Sequence, residues 1–146
     1  MVGKSMKLAA LLVVLGIIAV AYGYVSRGDR LSDEDLVKVS YGESIQITAA
    51  FLNPKYPDLK LTSFYLRLDT HSGDLYQYDL LNLTVLEVGG KRYSPLAWKE
   101  DSNSWGHHRM GVMEFPEEAI KDIKRFRTFK LVISGIEGTR ILEWKV

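Results

Sequence analysis

The stretch Leu61-Thr62-Ser63-Phe64-Tyr65-Leu66-Arg67-Leu68-Asp69-Thr70 decides the fold class. Leu66, Leu68 and Thr70 fall on one side of an extended chain; Tyr65, Arg67, Asp69 and His71 fall on the other. Side chains alternate across a strand with period two, so this segment reads as a strand with one face on a core and one toward water. Six further segments follow the same rule. Ser44–Leu52 comes before it. Leu83–Val88 and Arg92–Trp98 flank Gly89-Gly90, a strong hairpin signal because both glycines accept positive φ. His108–Phe115 is closed by Pro116, and Phe129–Ser134 and Thr139–Val146 turn at Glu137-Gly138. Between these, Pro116–Lys124 has proline first and acids in its opening turn, which predicts one helical turn.

Seven short strands with turn residues between them, and no long amphipathic helix, predict an all-β domain. The physical solution for such a set is two packed antiparallel sheets, an immunoglobulin-like β-sandwich over residues 43–146. A small closed barrel is the alternative. Residues 26–42 read as a polar linker. Within it, Ser32 followed by Asp33, Glu34 and Asp35 predicts the N-cap and acidic first turn of a short helix.

The front of the chain is of another kind. Leu8–Val25 carries no charged side chain, and Lys4 and Lys7 precede it as the basic flank of an export signal. Eighteen residues at about 1.5 Å each form a helix of roughly 27 Å, enough for a thin bilayer core. Residues 1–25 are therefore read as a signal-anchor with Tyr22 and Tyr24 as interfacial aromatics, or as a signal peptide cleaved after Ala21. Basic residues lie on both sides (Lys4 and Lys7 against Arg27, Arg30 and Lys38), but an extreme N-terminal segment favours a C-terminal domain outside the cell membrane. The expected arrangement is a single-pass anchor, or a secreted domain if cleaved.

The 146-residue chain has a formal net charge of +1 and 47% hydrophobic residues. With Leu8–Val25 and its two lysines set aside, the remainder is nearly neutral and of ordinary soluble composition. Such a balance gives no global reason to expect a nucleic-acid partner. The absence of cysteine excludes disulfides, thiolate zinc sites, thiol catalysis and a cysteine-linked lipid anchor. A metal site here must therefore be built from imidazole and carboxylate.

The three histidines fall in two short motifs: Asp69-Thr70-His71-Ser72, followed by Asp74, and Gly106-His107-His108-Arg109. Each motif sits at a strand end, where binding residues are commonly held by a rigid scaffold. Neutral imidazoles with a carboxylate suit Zn²⁺ or Cu²⁺, so His71, His107, His108 and Asp69 form the candidate metal set. Coordination of that kind weakens below about pH 6.5 as imidazole protonates. Adjacent residues on a regular strand point to opposite faces, so His107 and His108 share a metal only where the backbone is irregular, and Gly106 permits such a bulge or turn. The competing expectation is that the histidines serve the fold through hydrogen bonds to loop backbone and carboxylates. Trp105 and Arg109 are candidate contacts for an envelope protein partner.

These motifs carry a resemblance. The chain resembles a family of uncharacterised exported or membrane-anchored β-sandwich proteins from bacteria and archaea. The shared pattern is Asp69-Thr70-His71-Ser72 with Asp74-Leu75, Pro95–Trp98, Gly106–Pro116 and Arg140–Trp144. The resemblance covers Ser44 to Lys145 and implies export and a β-sandwich, but carries no catalytic role. No nucleophile elbow, phosphate loop or HExxH motif accompanies it. The functional expectation is thus a non-enzymatic extracytoplasmic binding module, with a structural or protein-interaction domain as the alternative.

Three weaker signals complete the reading. Asp69, Asp74, Asp79, Asp101 and Asn103 offer oxygens of the kind Ca²⁺ takes, without EF-hand spacing. Lys121, Lys124, Arg125, Arg127 and Lys130 alternate with Phe126 and Phe129, as a wet strand face or a lipid-facing basic stretch would. Asn82-Leu83-Thr84 matches the N-glycosylation acceptor pattern, although an apolar Leu83 expected in the core disfavours modification.

Overall fold

The computed structural model describes residues 31–146. The expected membrane segment Leu8–Val25 lies outside them, and among the described residues no helix is long and apolar enough to cross a membrane. The elements run α1 (Asp33–Leu36), β1 (Val37–Tyr41), β2 (Ile45–Phe51), β3 (Thr62–Thr70), a 3₁₀ turn (Leu75–Gln77), α2 (Leu80–Leu83), β4 (Thr84–Val88), β5 (Lys91–Tyr93), β6 (Ala97–Glu100), β7 (His108–Phe115), α3 (Glu117–Phe126), β8 (Thr128–Ser134) and β9 (Thr139–Lys145). They form two antiparallel sheets, one ordered β1-β2-β3-β7-β6 and the other β5-β4-β8-β9. This is an all-β sandwich.

Period-two patterning places the core. Ile45, Ile47, Ala49 and Phe51 of β2, Phe64, Leu66 and Leu68 of β3, and Met113 and Phe115 of β7 line the inner face of the first sheet. Leu86, Val88, Phe129, Leu131, Ile133, Leu142 and Trp144 line the second. Both sets belong to one cluster. At its centre Trp144 stacks on Phe129 (centroids 5.3 Å apart, 8° between planes) and meets Phe64 of the opposite sheet at 5.3 Å. The buried indole N–H donates to the Leu36 carbonyl at 2.8 Å, so the largest core side chain leaves no polar atom unpaired.

Two elements differ from the sequence expectation. The presumed linker contributes an edge strand, β1, whose apolar residues Val37, Val39 and Tyr41 face outward. Tertiary bonds fix that orientation: Leu36 is buried and its carbonyl is taken by Trp144. Ser40 is held from the other sheet by the Arg140 guanidinium, whose Nε reaches Ser40 Oγ at 2.8 Å and whose NH2 reaches its carbonyl. The expected strand Arg92–Trp98 is divided. Pro95 lacks an amide hydrogen and interrupts the ladder, so β5 stays with β4 while β6 crosses to pair with β7. Nine strands result among the described residues, in place of seven.

The predicted helical turn after Pro116 extends to ten residues. Lys121, Lys124 and Arg125 are therefore helical rather than part of an alternating strand, and only Lys130 of that basic group lies on β8. The Gly89-Gly90 turn forms as expected, with φ of 55° and 81°.

Candidate functional site

The register of β3 against β7 sets Asp69 directly opposite His108 on the outer face of the first sheet. Nδ1 of His108 lies 2.5 Å from Asp69 Oδ1. Arg67, two residues earlier on the same face, donates through Nε to both Asp69 carboxylate oxygens at 3.0 and 2.8 Å. Partial burial pushes the Asp69 carboxyl up, but the hydrogen bonds from Arg67 and His108 outweigh it and hold the group below its ordinary value. The result is a row of cation, carboxylate and imidazole across two strands.

His107 does not sit on a strand. Trp105 and His108 exchange two backbone hydrogen bonds of 2.8 Å each, which makes Gly106-His107 a two-residue turn. The irregularity that Gly106 permits is thus realised as a tight hairpin entering β7. The Trp105 ring lies 5.2 Å from the ring of His107 and 4.9 Å from that of His108. It remains 54% exposed.

The hairpin is tied down on both sides. Ser104 Oγ donates to the Met110 carbonyl at 2.8 Å and accepts from its amide at 3.0 Å, while the Asp101 amide reaches the same carbonyl at 2.8 Å. On the β3 side, the Thr70 amide donates to the His107 carbonyl at 2.9 Å and the Leu75 amide to the Gly106 carbonyl at 2.8 Å. The Thr70 hydroxyl lies 3.1 Å from the Ser44 carbonyl and 2.9 Å from that of Ser72, which shapes the turn after β3. The two histidine motifs are one hydrogen-bonded unit.

One residue further along β7, period two turns the chain inward. Arg109, expected as a partner contact, is 8% exposed. Its guanidinium donates to Glu100 at 3.1–3.2 Å and to the carbonyls of Leu75 and Tyr78 at 3.2 and 2.7 Å. It also lies 5.3 Å from the Tyr76 ring centre and 5.7 Å from that of Trp98. Burial raises the Glu100 carboxyl, and the bonds from Arg109 and Trp98 reverse this and lower it. Arg109 therefore anchors the 3₁₀ segment to the edge strand β6, with its guanidinium engaged inside the chain.

His71 lies just beyond the end of β3 and is exposed. Among the described residues, no group of three or more His, Asp or Glu side chains is assembled that could hold a metal ion. Of the expected set of His71, His107, His108 and Asp69, the structure bonds only Asp69 to His108, with the His107 ring also against Trp105. The acids considered for calcium are engaged locally: Asp74 Oδ1 caps the 3₁₀ turn at the Tyr76 amide, Asp79 caps α2, and Asp101 accepts from Asn103.

Comparison with protein-family models, curated proteins and solved structures finds no match to this chain. The site must be understood from its own geometry. Arg67 was legible beforehand, since it shares a face with Asp69 two residues on. Glu100 and Tyr78 were not, because their meeting with Arg109 depends on how β6 and the 3₁₀ segment dock on β7.

Proposed function

We propose that the chain is a non-enzymatic, extracytoplasmic protein-interaction domain whose contact surface is the Trp105–His107–His108 hairpin. In this reading Leu8–Val25 holds it to the membrane as a single-pass anchor with the domain outside, or is removed after Ala21. The sandwich is read as immunoglobulin-like, a scaffold that presents hairpins at its ends. One observation carries the proposal: Trp105 is large, more than half exposed, and yet pinned through its backbone and against two imidazoles. An aromatic side chain already ordered before binding loses little entropy in a complex, which is the property of an interface anchor. The motifs otherwise bond to each other, as groups serving the fold do.

The test is a photo-crosslinking residue placed at position 105, with Tyr56 and Ile141 as exposed control positions, in cells making the chain at native level. A discrete adduct from position 105 and none from the controls is expected. No adduct at 105, or the same adduct from all three positions, refutes the assignment.

A second reading, a small polar ligand or a Zn²⁺ or Cu²⁺ ion at the same histidines, draws on the Asp69–His108 bond. A carboxylate on Nδ1 orients an imidazole so that Nε2 is offered outward. Calorimetry decides it: if His108→Ala protein binds both metals as the parent does, the ion version fails.

A further inference from the structure

The sequon Asn82-Leu83-Thr84 ends α2 and opens β4, and its two polar members have opposite surroundings. Asn82 is exposed, with its carboxamide nitrogen donating to Asp79 Oδ2. Thr84 is 1% exposed on the inward-facing series of β4, and its hydroxyl has no hydrogen-bond partner among the described residues. A buried unpaired hydroxyl destabilises a fold, whereas valine has nearly the same shape, fits a strand equally well and carries no such group. Among the described residues nothing in the fold calls for the hydroxyl of Thr84. The acceptor pattern for N-glycosylation does, because it requires a hydroxyl two residues after the asparagine. Of the three asparagines in the chain, Asn82 alone has one there.

We propose that Asn82 is an N-glycosylation site, modified before the domain folds; this rests on the extracytoplasmic reading. The donor is an oligosaccharide linked to a polyisoprenyl phosphate or pyrophosphate lipid. A bond forms between Asn82 Nδ2 and the anomeric carbon of the sugar. The carbon–oxygen bond to phosphate breaks, the lipid phosphate leaves with the electron pair, and the amide proton passes to a base of the transferase. The glycosylated nitrogen keeps one N–H, so its bond to Asp79 survives in the folded product.

Timing follows from topology. The Thr84 end of the sequon is fixed in extended backbone pairing when β4 joins β8, where its register partner is Ile133, 49 residues later. At about 5–20 residues per second, synthesis leaves the sequon open for roughly 2–10 s after it emerges. Leu83, half-buried in the fold, is equally free during that interval.

The experiment is peptide mass spectrometry on the full chain purified from its own cells, with protease added to intact cells to report the placement of the domain separately. A glycan on the Asn82 peptide is expected. It is lost in Asn82→Gln and Thr84→Val, and retained in Thr84→Ser. Unmodified Asn82 in chains that external protease reaches overturns the site while leaving the placement intact. A domain that protease cannot reach overturns the placement and the site together. As a second measurement, with both proteins made without the glycan, Thr84→Val should melt at or above the parent. A marked fall in its Tm would give the hydroxyl a structural role and remove the basis of the inference.

Discussion

Replacing Arg109 with alanine tests whether the second histidine motif is built into the fold or offered to a partner. The guanidinium has a side-chain exposure of 10% and meets Glu100, itself 33% exposed, together with the carbonyls of Leu75 and Tyr78. Removing one member of a buried, hydrogen-bonded ion pair costs about 3–5 kcal/mol, because the other charge is left without its partner. Water reaches Glu100 in part, which moves the estimate toward the lower end. The Tyr78 carbonyl moves it back, since an acceptor left unpaired away from water costs about 1–3 kcal/mol, whereas the Leu75 carbonyl keeps its bond from the Tyr78 amide. A loss of about 3–4 kcal/mol is expected. The whole stability of a domain of this size is roughly 6–17 kcal/mol, so the variant should still fold.

In thermal unfolding followed by circular dichroism, that loss corresponds to a fall in Tm of about 10–20 °C. Glu100→Ala should be less damaging, and the double variant should cost less than the sum, by about 1–3 kcal/mol, because the pair acts as a unit. Amide exchange should rise locally between Ser72 and Tyr78, where the guanidinium holds two carbonyls. A Tm within about 4 °C of the parent, or strict additivity with Glu100→Ala, would refute the reasoning and return Arg109 to the surface as a recognition residue.

Three further outcomes follow from the same geometry. Gly111 lies where β7 passes β6, and a Cβ there would meet the Lys99 carbonyl at 2.3 Å and the Trp98 ring at 2.9 Å; Gly111→Ala should therefore cost about 1–3 kcal/mol in urea titration, and an unchanged midpoint would show the strands yield freely. Asp69 and Glu100 are held below their ordinary carboxyl values in the fold, so the unfolded chain binds more protons. Their stabilisation is complete above about pH 4–5 and is lost as pH falls through the lowered folded-state values. The melting curve of the parent should thus drop between pH 5 and pH 3 more steeply than that of Asp69→Asn or Glu100→Gln, and parallel curves would refute the assignment. Finally, Trp105→Ala should leave Tm nearly unchanged while removing binding at the hairpin, since the ring contributes contact rather than core; a large thermal loss would make Trp105 a structural residue.

The strand class and most of the core were legible because they depend on local periodicity. In β3, β7, β8 and β9 the inward residues recur at every second position, and a one-residue slip would expose Phe64, Phe115, Phe129 or Trp144. The hairpin at Gly89-Gly90 was equally local, since two consecutive positive φ angles almost demand glycine. The segment read as a linker becomes β1, with apolar Val37, Val39 and Tyr41 outward, because Trp144 holds Leu36 just before it and Arg140 holds Ser40 within it, each more than 90 residues away. Periodicity likewise carries no warning that Pro95 sends β5 and β6 to different sheets.

The candidate site divides along the same line. By itself the sequence determined that two short motifs hold every histidine, that each lies at a strand end, and that without cysteine any ligand set there is imidazole and carboxylate. Tertiary pairing sets Asp69 against His108, places His107 in a two-residue turn beside Trp105, and brings Arg109 inward to Glu100. The physical reason is register. Which side a residue takes is set by its own strand, but which residue it meets is set by hydrogen bonds between strands about 40 residues apart in the chain, and no local pattern encodes that pairing.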